Sequence, residues 1–317
     1  MEKIHPVKSN EVGVRLKNEQ FNGVKKITIK DKEFPEALKT IKEVPKVLYF
    51  IGKLPEKDEL CFAIVGTRRC SNYGKQVTLE IAGNLADLGI TIISGLAPGI
   101  DTFAHKAVVE RTRLRQGYGG RAIAVLGTGI DEKSMYPKEN FQLANEIVEL
   151  GGCLISEYPP GTRGTHFTFP QRNRIISGFS LGVLVIEAKE KSGSLITANY
   201  AFSQKRKLFA VPGPIYSLNA RGPNSLIKQG AKLVDNTDDI LQELNLIHLK
   251  SKSENKIEGG TPEETLILEA LKEESLYVDK IIKKTKLSVA TVASILTILE
   301  LEGKVRNLGG NVYTISR

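Results

Sequence analysis

Six short apolar runs constrain this chain more than anything else in it: CFAIVG (61–66), TIISG (91–95), AIAVLG (122–127), CLIS (153–156), GVLVIEA (182–188) and LFAVPG (208–213). Each is continuous rather than alternating, rich in Val and Ile, and several end at Gly. A strand that is apolar at every position is buried on both faces, which is the mark of a parallel sheet. Between the runs lie helix-like stretches such as GKQVTLEIAGNLADLG and NFQLANEIVELG. Strand, helix, strand in repetition predicts an α/β fold, a parallel sheet with helices on both faces. In such sheets ligands bind at the carboxyl ends of the strands. Almost every unusual loop of this sequence falls there.

The 317 residues leave room for a second, smaller unit. Residues 1–26 read as a polar lead-in, and the main domain as 27–247. Within it, ITIKDKEFPEALKTIKEVPKVLYFIGKL, with Pro35 and Pro45, reads as an ordered arm packed on the rest of the domain. HLKSKSENKIEGG (248–260) reads as a linker. In 261–317, Thr261, Pro262 and Glu264 open a first helix, YVDKIIKKTK forms a second, and Ser288 caps a third. The chain then turns back at Gly309-Gly310-Asn311. Three helices and a hairpin predict a small C-terminal winged-helix domain. ERTRLRQGYGGR (110–121) reads as an exposed basic loop.

The net charge of +9 favours a polyanionic partner. Residues 261–317 hold eight Lys/Arg and eight Asp/Glu, so the excess resides in residues 1–260. Cys61, Cys70 and Cys153 are widely spaced and form no CxxC pair, and the four histidines are scattered. That argues for a reducing compartment, here the cytoplasm, and against a metal site. The start carries no signal-peptide pattern and no run is long enough to span a bilayer, so no membrane association is expected. No cofactor is implied.

Five strand-end loops carry the candidate chemistry. In AIVGTRRCSNYG the strand stops at Gly66, and Thr67, Arg68 and Arg69 come next. A glycine turn lets a ligand approach backbone N–H groups, and arginines add charge; solvated arginines on a tight turn fit equally well. It is neither a GxGxxG nor a Walker A loop. In SGLAPGIDTFAH, Asp101 and His105 stand four apart and read as a structural pair. In ISEYPPGTRGTHFTFPQRNRIISG, Phe169, Gln171, Arg172, Asn173 and Arg174 interleave an aromatic with donors and cations, as single-stranded nucleic acid requires. In VIEAKEKSGSLITANYA, Ser192, Gly193 and Ser194 open a helix and offer an anion seat, or a plain N-cap. VPGPIYSLNARGPNSLIKQGA is a further Gly/Pro loop.

In order and spacing these segments resemble the DprA/Smf (DNA-processing protein A) family. The resemblance runs from about Ile27 to Val234 through EFPEALKTIKEVPKVLYFIGKL, VGTRRCSNYG, SGLAPGIDTFAH, AVLGTGIDEKSMYPKENFQL, ISEYPPGT, FPQRNRIISG, VIEAKEKSGSLITA, FAVPGPI and GPNSLIKQGAKLV. It implies an extended Rossmann-like domain that dimerises and holds single-stranded DNA in a basic pocket. It implies protection of incoming strands and loading of RecA recombinase during natural transformation, without catalysis. By motif it points to Gly66 and Arg68, to Arg172, Asn173 and Arg174, and to Ser192–Ser194, with Phe169 stacking on bases. Pro98, Gln171 and Pro223 depart from the family pattern, the first removing a usual arginine.

Two other readings stand beside it. Glu187, at a strand end, would serve a nucleotide-processing phosphoribohydrolase, but the PGGxGT-type loop of those enzymes is missing. A duplex-reading regulator would use the winged helix, whose neutral charge speaks against it.

Overall fold

A computed structural model of the chain describes residues 23–114, 119–250, 261–272, 274–302 and 304–315. All six predicted runs are strands. They are β3 (Cys61–Val65), β4 (Thr91–Ser94), β5 (Ala122–Leu126), β6 (Cys153–Ser156), β7 (Gly182–Val185) and β8 (Lys207–Ala210). With β1 (Lys25–Thr28), β2 (Val47–Gly52) and β9 (Lys232–Leu233) they form one nine-stranded sheet among the described residues, in the order β1-β2-β6-β5-β4-β3-β7-β8-β9. From β6 to β9 every pairing is parallel. The two leading strands run antiparallel, β1 on β2 and β2 on β6. The arm seen in the sequence is thus part of the sheet.

Alternation along each parallel strand sends side chains into two cores. On β3, Phe62 and Ile64 join a core with Ile81 and Leu85 of α2 (Asn72–Asp87), Val108 of α3 (Ile100–Leu114) and Ile147 of α4 (Phe141–Glu149). Cys61, Ala63 and Val65 face the other core. There they join Leu38 from the short α1 (Glu36–Lys39), Ile175 and Phe179 of α5 (Thr168–Phe179), and Ala198 of α6 (Gly193–Ser203). Burial on both faces is why these strands read as unbroken apolar runs. α7 (Arg221–Lys228) and α8 (Thr237–Glu243) complete the two layers. This is the α/β fold the sequence predicts: a mixed, mostly parallel sheet between helices.

The described residues of the basic stretch, 110–114 and 119–121, are not a free loop. Helix α3 runs on to Leu114, and Arg111, Arg113 and Arg121 are engaged. Arg111 pairs with Asp87 at 3.5 Å and Arg113 with Glu146 at 3.2 Å. Arg121 holds Glu59 at 2.8 Å and the carbonyls of Lys53, Leu54 and Gly151, clamping loops at one end of the sheet. Arg115 lies outside the described residues.

The C-terminal unit has helices α9 (Pro262–Leu271), α10 (Val278–Thr285) and α11 (Val289–Leu301). Its three-stranded sheet has β12 (Val312–Ile315) between β10 (Leu276–Tyr277) and β11 (Val305–Asn307). The Thr261 and Ser288 hydroxyls cap α9 and α11 by accepting from Glu264 N and Thr291 N. The hairpin turns through positive φ at Gly309, Gly310 and Asn311. Strand β10, two residues long, has no counterpart in the sequence expectation. Of the predicted linker, residues 251–260 lie outside the described residues, as do residues 1–22 of the lead-in. Among the described residues no helix is long and apolar enough to cross a membrane.

Candidate nucleic-acid interface

Strand order reverses between β3 and β7: β4 to β6 lie on one side of β3, β7 to β9 on the other. Loops leaving the carboxyl ends diverge at such a point and leave a crevice. Here it is a cleft of about 1080 Å³, lined by residues that come after all five strands from β3 to β7.

The floor starts at Gly66. A Cβ there would stand 2.5 Å from the Ile100 side chain, so only glycine lets β3 turn this tightly over α3. Thr67 N donates to Glu187 O at 2.7 Å, and the Thr67 hydroxyl accepts from Arg69 N at 3.3 Å. These bonds leave the Arg68 and Arg69 side chains exposed over the cleft. The Arg68 guanidinium lies 5.3 Å from the centre of the Phe169 ring. Tyr136 meets the same ring at 5.7 Å. Phe169 therefore braces Arg68 by a cation–π contact. Tyr136, 48% exposed, and exposed His166 are open aromatic side chains of the cleft.

Arg172 sits beneath this floor, 4% exposed. It donates to the carbonyls of Gly95, at 2.7 Å, and Val125, tying α5 to the ends of β4 and β5. Burial pushes its pKa down to about 10, an effect that the Asp101 charge partly offsets. Burial also raises the Asp101 carboxyl, which Arg172 pulls back and which accepts from Gly95 N at 3.1 Å. The expected Asp101–His105 pair is not formed by any hydrogen bond among the described residues. Asp101 turns instead to Gly95 N, with the Arg172 charge acting on it through space.

His105 is fully buried, and neither ring nitrogen has a hydrogen-bond partner among the described residues. Burial pushes its pKa from 6.5 to about 3, the Ser94 backbone offsetting this only in part. The imidazole is neutral in the folded chain and protonates in the unfolded chain below about pH 6.5. Its contribution to stability is therefore complete above pH 6.5 and is lost as the pH falls towards 3. The expected slope is up to about 1.4 kcal/mol per pH unit. Thermal melts over that window should show a flatter profile for His105→Leu than for the parent.

The structure brings Gly66, Thr67, Arg68, Arg69, Phe169, Arg172, Asn173, Ser192, Gly193 and Ser194 to one cleft. Asn173 donates to Gly193 O at 3.2 Å, joining α5 to the start of α6. Ser192 caps α6 by accepting from Ser194 N. Gln171 and Arg174 do not line the cleft. Gln171 accepts from the Tyr158 hydroxyl at 3.1 Å. Arg174, 3% exposed, donates to Glu43 O, Gln171 O and the Glu157 carboxylate, bracing the arm against α5. Its three nitrogens are used inside the fold, so the phosphate contact expected of it is withdrawn. Sequence reading missed Lys133, Lys138, Arg163, Lys189 and Lys191, all lining the cleft. Their only sequence signal is position, each lying beyond the carboxyl end of a parallel strand. Against eight Lys and Arg the lining holds a single carboxylate, that of Asp101.

Glu187 points away from this chemistry. It is 5% exposed and does not line the cleft. Its carboxylate accepts from Ser71 N at 2.8 Å, from the Ser71 hydroxyl at 2.6 Å and from Asn219 at 3.4 Å. It anchors the start of α2. Among the described residues no His/Cys/Asp/Glu group could hold a metal ion.

Comparison with known proteins gives one answer. The family model for DNA recombination-mediator protein A matches residues 25–245, and that for the DprA winged helix domain matches residues 251–311. Protein Smf of Escherichia coli is 37% identical over 295 residues, covering 90% of this chain and 76% of the relative. DNA processing protein DprA of Bacillus subtilis is 43% identical over 223 residues, covering 70% and 72%. The structure of DprA from Streptococcus pneumoniae superposes with a TM-score of 0.63 at 38% identity, covering 71% of this chain and 76% of that one. A structure of DNA processing protein A from Helicobacter pylori, which describes that protein's single-stranded DNA binding mode, superposes with a TM-score of 0.60 at 28% identity, covering 70% and 97%. With a basic cleft at the switch point of the sheet and a winged-helix unit later in the chain, the chain belongs to the DNA recombination-mediator protein A (DprA/Smf) family of DNA-processing proteins.

Proposed function

We propose that the cleft holds single-stranded DNA, and that the protein, acting in the cytoplasm as a homodimer and without catalysis, protects incoming strands and loads RecA recombinase onto them during transformation and recombination. The observation that carries the binding step is the lining of the cleft, eight cations against one buried carboxylate. Phosphates run along Arg68, Arg69, Lys138 and Lys191, and a base lies against Tyr136. Arg172 acts from below by fixing the loops. Binding by such a surface is salt-sensitive and largely independent of sequence. The H. pylori relative's binding of single strands supports the binding step, and family membership is the ground on which loading and dimerisation are proposed.

Two features favour this over the rivals. The buried, internally bonded Glu187 is unsuited to attack on a nucleotide in the cleft. The third helix of the winged-helix unit, Val289–Leu301, carries no Lys or Arg with which to grip a duplex backbone.

Gly99→Ala tests how far the Arg68 turn is built for binding. Gly99 has φ +82°, and a Cβ there would stand 2.3 Å from Thr67 O and 2.7 Å from the Arg68 carbonyl carbon. Strain and displacement together are expected to cost about 2 kcal/mol in urea denaturation. Affinity for oligo-dT should fall as well. The loading step is tested by timing RecA filament nucleation on a single strand coated with single-strand-binding protein. The proposal expects the chain to shorten the lag, and the Arg68→Ala variant to do so less. An unchanged lag contradicts loading.

A further inference from the structure

The loop between β8 and α7, Val211 to Ala220, displays two side chains outside the cleft, Tyr216 at 93% exposure and Ile215 at 77%. The backbone beneath them is pinned. The Asn224 amide accepts from Gly213 N at 3.1 Å and donates to Gly213 O at 2.9 Å. The Tyr73 hydroxyl donates to Pro212 O at 3.1 Å. A turn closes from Ser217 N to Pro214 O at 2.9 Å. An ordered platform meets a ligand without first losing conformational freedom, so an exposed ring and its apolar neighbour on it are suited to binding.

The same bonding fixes where the platform stands. Asn219 donates from its side chain to Arg69 O at 3.1 Å, and its backbone carbonyl accepts from Ala188 N at 2.7 Å. Arg69 and Lys189, the residue after Ala188, both line the cleft. Tyr216 is three residues from Asn219, hence within about 11 Å of it along the chain. Cations frame the route: Arg69, Lys189, Lys191 and Arg221 are exposed. Of the carboxylates near the route, Glu190 lies 3.6 Å from Arg221 with both side chains more than half exposed, Glu187 is buried and bonded to Asn219, and exposed Asp235 acts by its charge on Tyr73. A flat ring among cations, continuous with a cationic cleft, suits a nucleobase and its phosphates better than an apolar protein face.

We propose that single-stranded DNA leaving the cleft past Arg69 continues onto this loop, where a base stacks on Tyr216 and rests against Ile215. The proposal rests on the reading that the cleft holds the strand. It adds a second base-binding site to it.

The chain has no Trp, so Tyr216→Trp installs a single indole as reporter. Two oligo-dT lengths are compared, about five nucleotides to fill the cleft and about twenty to run beyond it. The expected result is quenching of the indole by the long strand and little by the short one. In anisotropy, Tyr216→Ala should weaken the long strand roughly tenfold and leave the short one unchanged. Arg68→Ala should weaken both. Unquenched indole, with both lengths bound by Tyr216→Ala as by the parent, overturns the loop site and leaves the cleft standing. A Tyr216→Ala chain that keeps its affinity for DNA but changes mass in sedimentation also overturns it, since the loop is then a protein contact. Failure of the parent to bind either length overturns cleft and loop together.

Discussion

Arg172→Ala is expected to lower the free energy of unfolding by about 3–5 kcal/mol, the largest effect of any substitution around the cleft. The guanidinium is 4% exposed and faces the fully buried Asp101 carboxyl. Removing it leaves that carboxyl without its counter-charge and two carbonyls, of Gly95 and Val125, without a donor. A Cβ on Gly95 would come within 2.2 Å of the Arg172 guanidinium, so the arginine fills space as well. Arg172→Lys should recover only part of the loss: one guanidinium nitrogen serves both carbonyls, but an ammonium lacks the planar group that fills the space against Gly95. Urea denaturation is the measurement. Arg68→Ala, at an exposed position, should stay within about 0.5 kcal/mol of the parent in the same experiment. The contrast separates an arginine that builds the cleft from one that acts in it.

The second large effect is on binding. Arg68→Ala combined with Lys138→Ala removes two cations from the cleft lining, one after β3 and one after β5. Affinity for oligo-dT should fall roughly a hundredfold, about 1.4 kcal/mol for each cation. The slope of log affinity against log salt should flatten by about 1.4, since each phosphate contact on a single strand contributes about 0.7. A loss of affinity with no change in slope would mean that these side chains act by shaping the cleft rather than by meeting phosphates.

Much of this fold is legible in the sequence. A strand buried on both faces must be apolar throughout, so β3 to β8 stand out, and their spacing marks the crossover helices. Gly66 and the arginines after it mark a strand end open to an anion. The antiparallel start is harder. Tyr49 and Phe50 pair with Ser156 and Ile155 across more than a hundred residues of chain, and no local pattern encodes such a partner. The RNR segment misleads for a related reason. An arginine beside a helix start looks solvent-facing, but α5 begins at Thr168 and is buried from Arg172 through Phe179. Arg172 and Arg174 therefore point inward and find carbonyls and carboxylates. Burial of that kind is decided by neighbouring layers and leaves no periodic trace. The lysines at 133, 138, 189 and 191 are the converse case. Each is an ordinary loop residue alone, and only the switch point of the sheet brings them together.

The central claim, a single-strand cleft framed by the loops after β3 to β7, is tested most directly by fluorescence anisotropy of the intact protein against labelled oligo-dT and a matching duplex, over a salt series. Tight binding that weakens steeply with salt and prefers the single strand is the predicted result. Equal or tighter binding to the duplex, or affinity for oligo-dT that ignores salt, would contradict it.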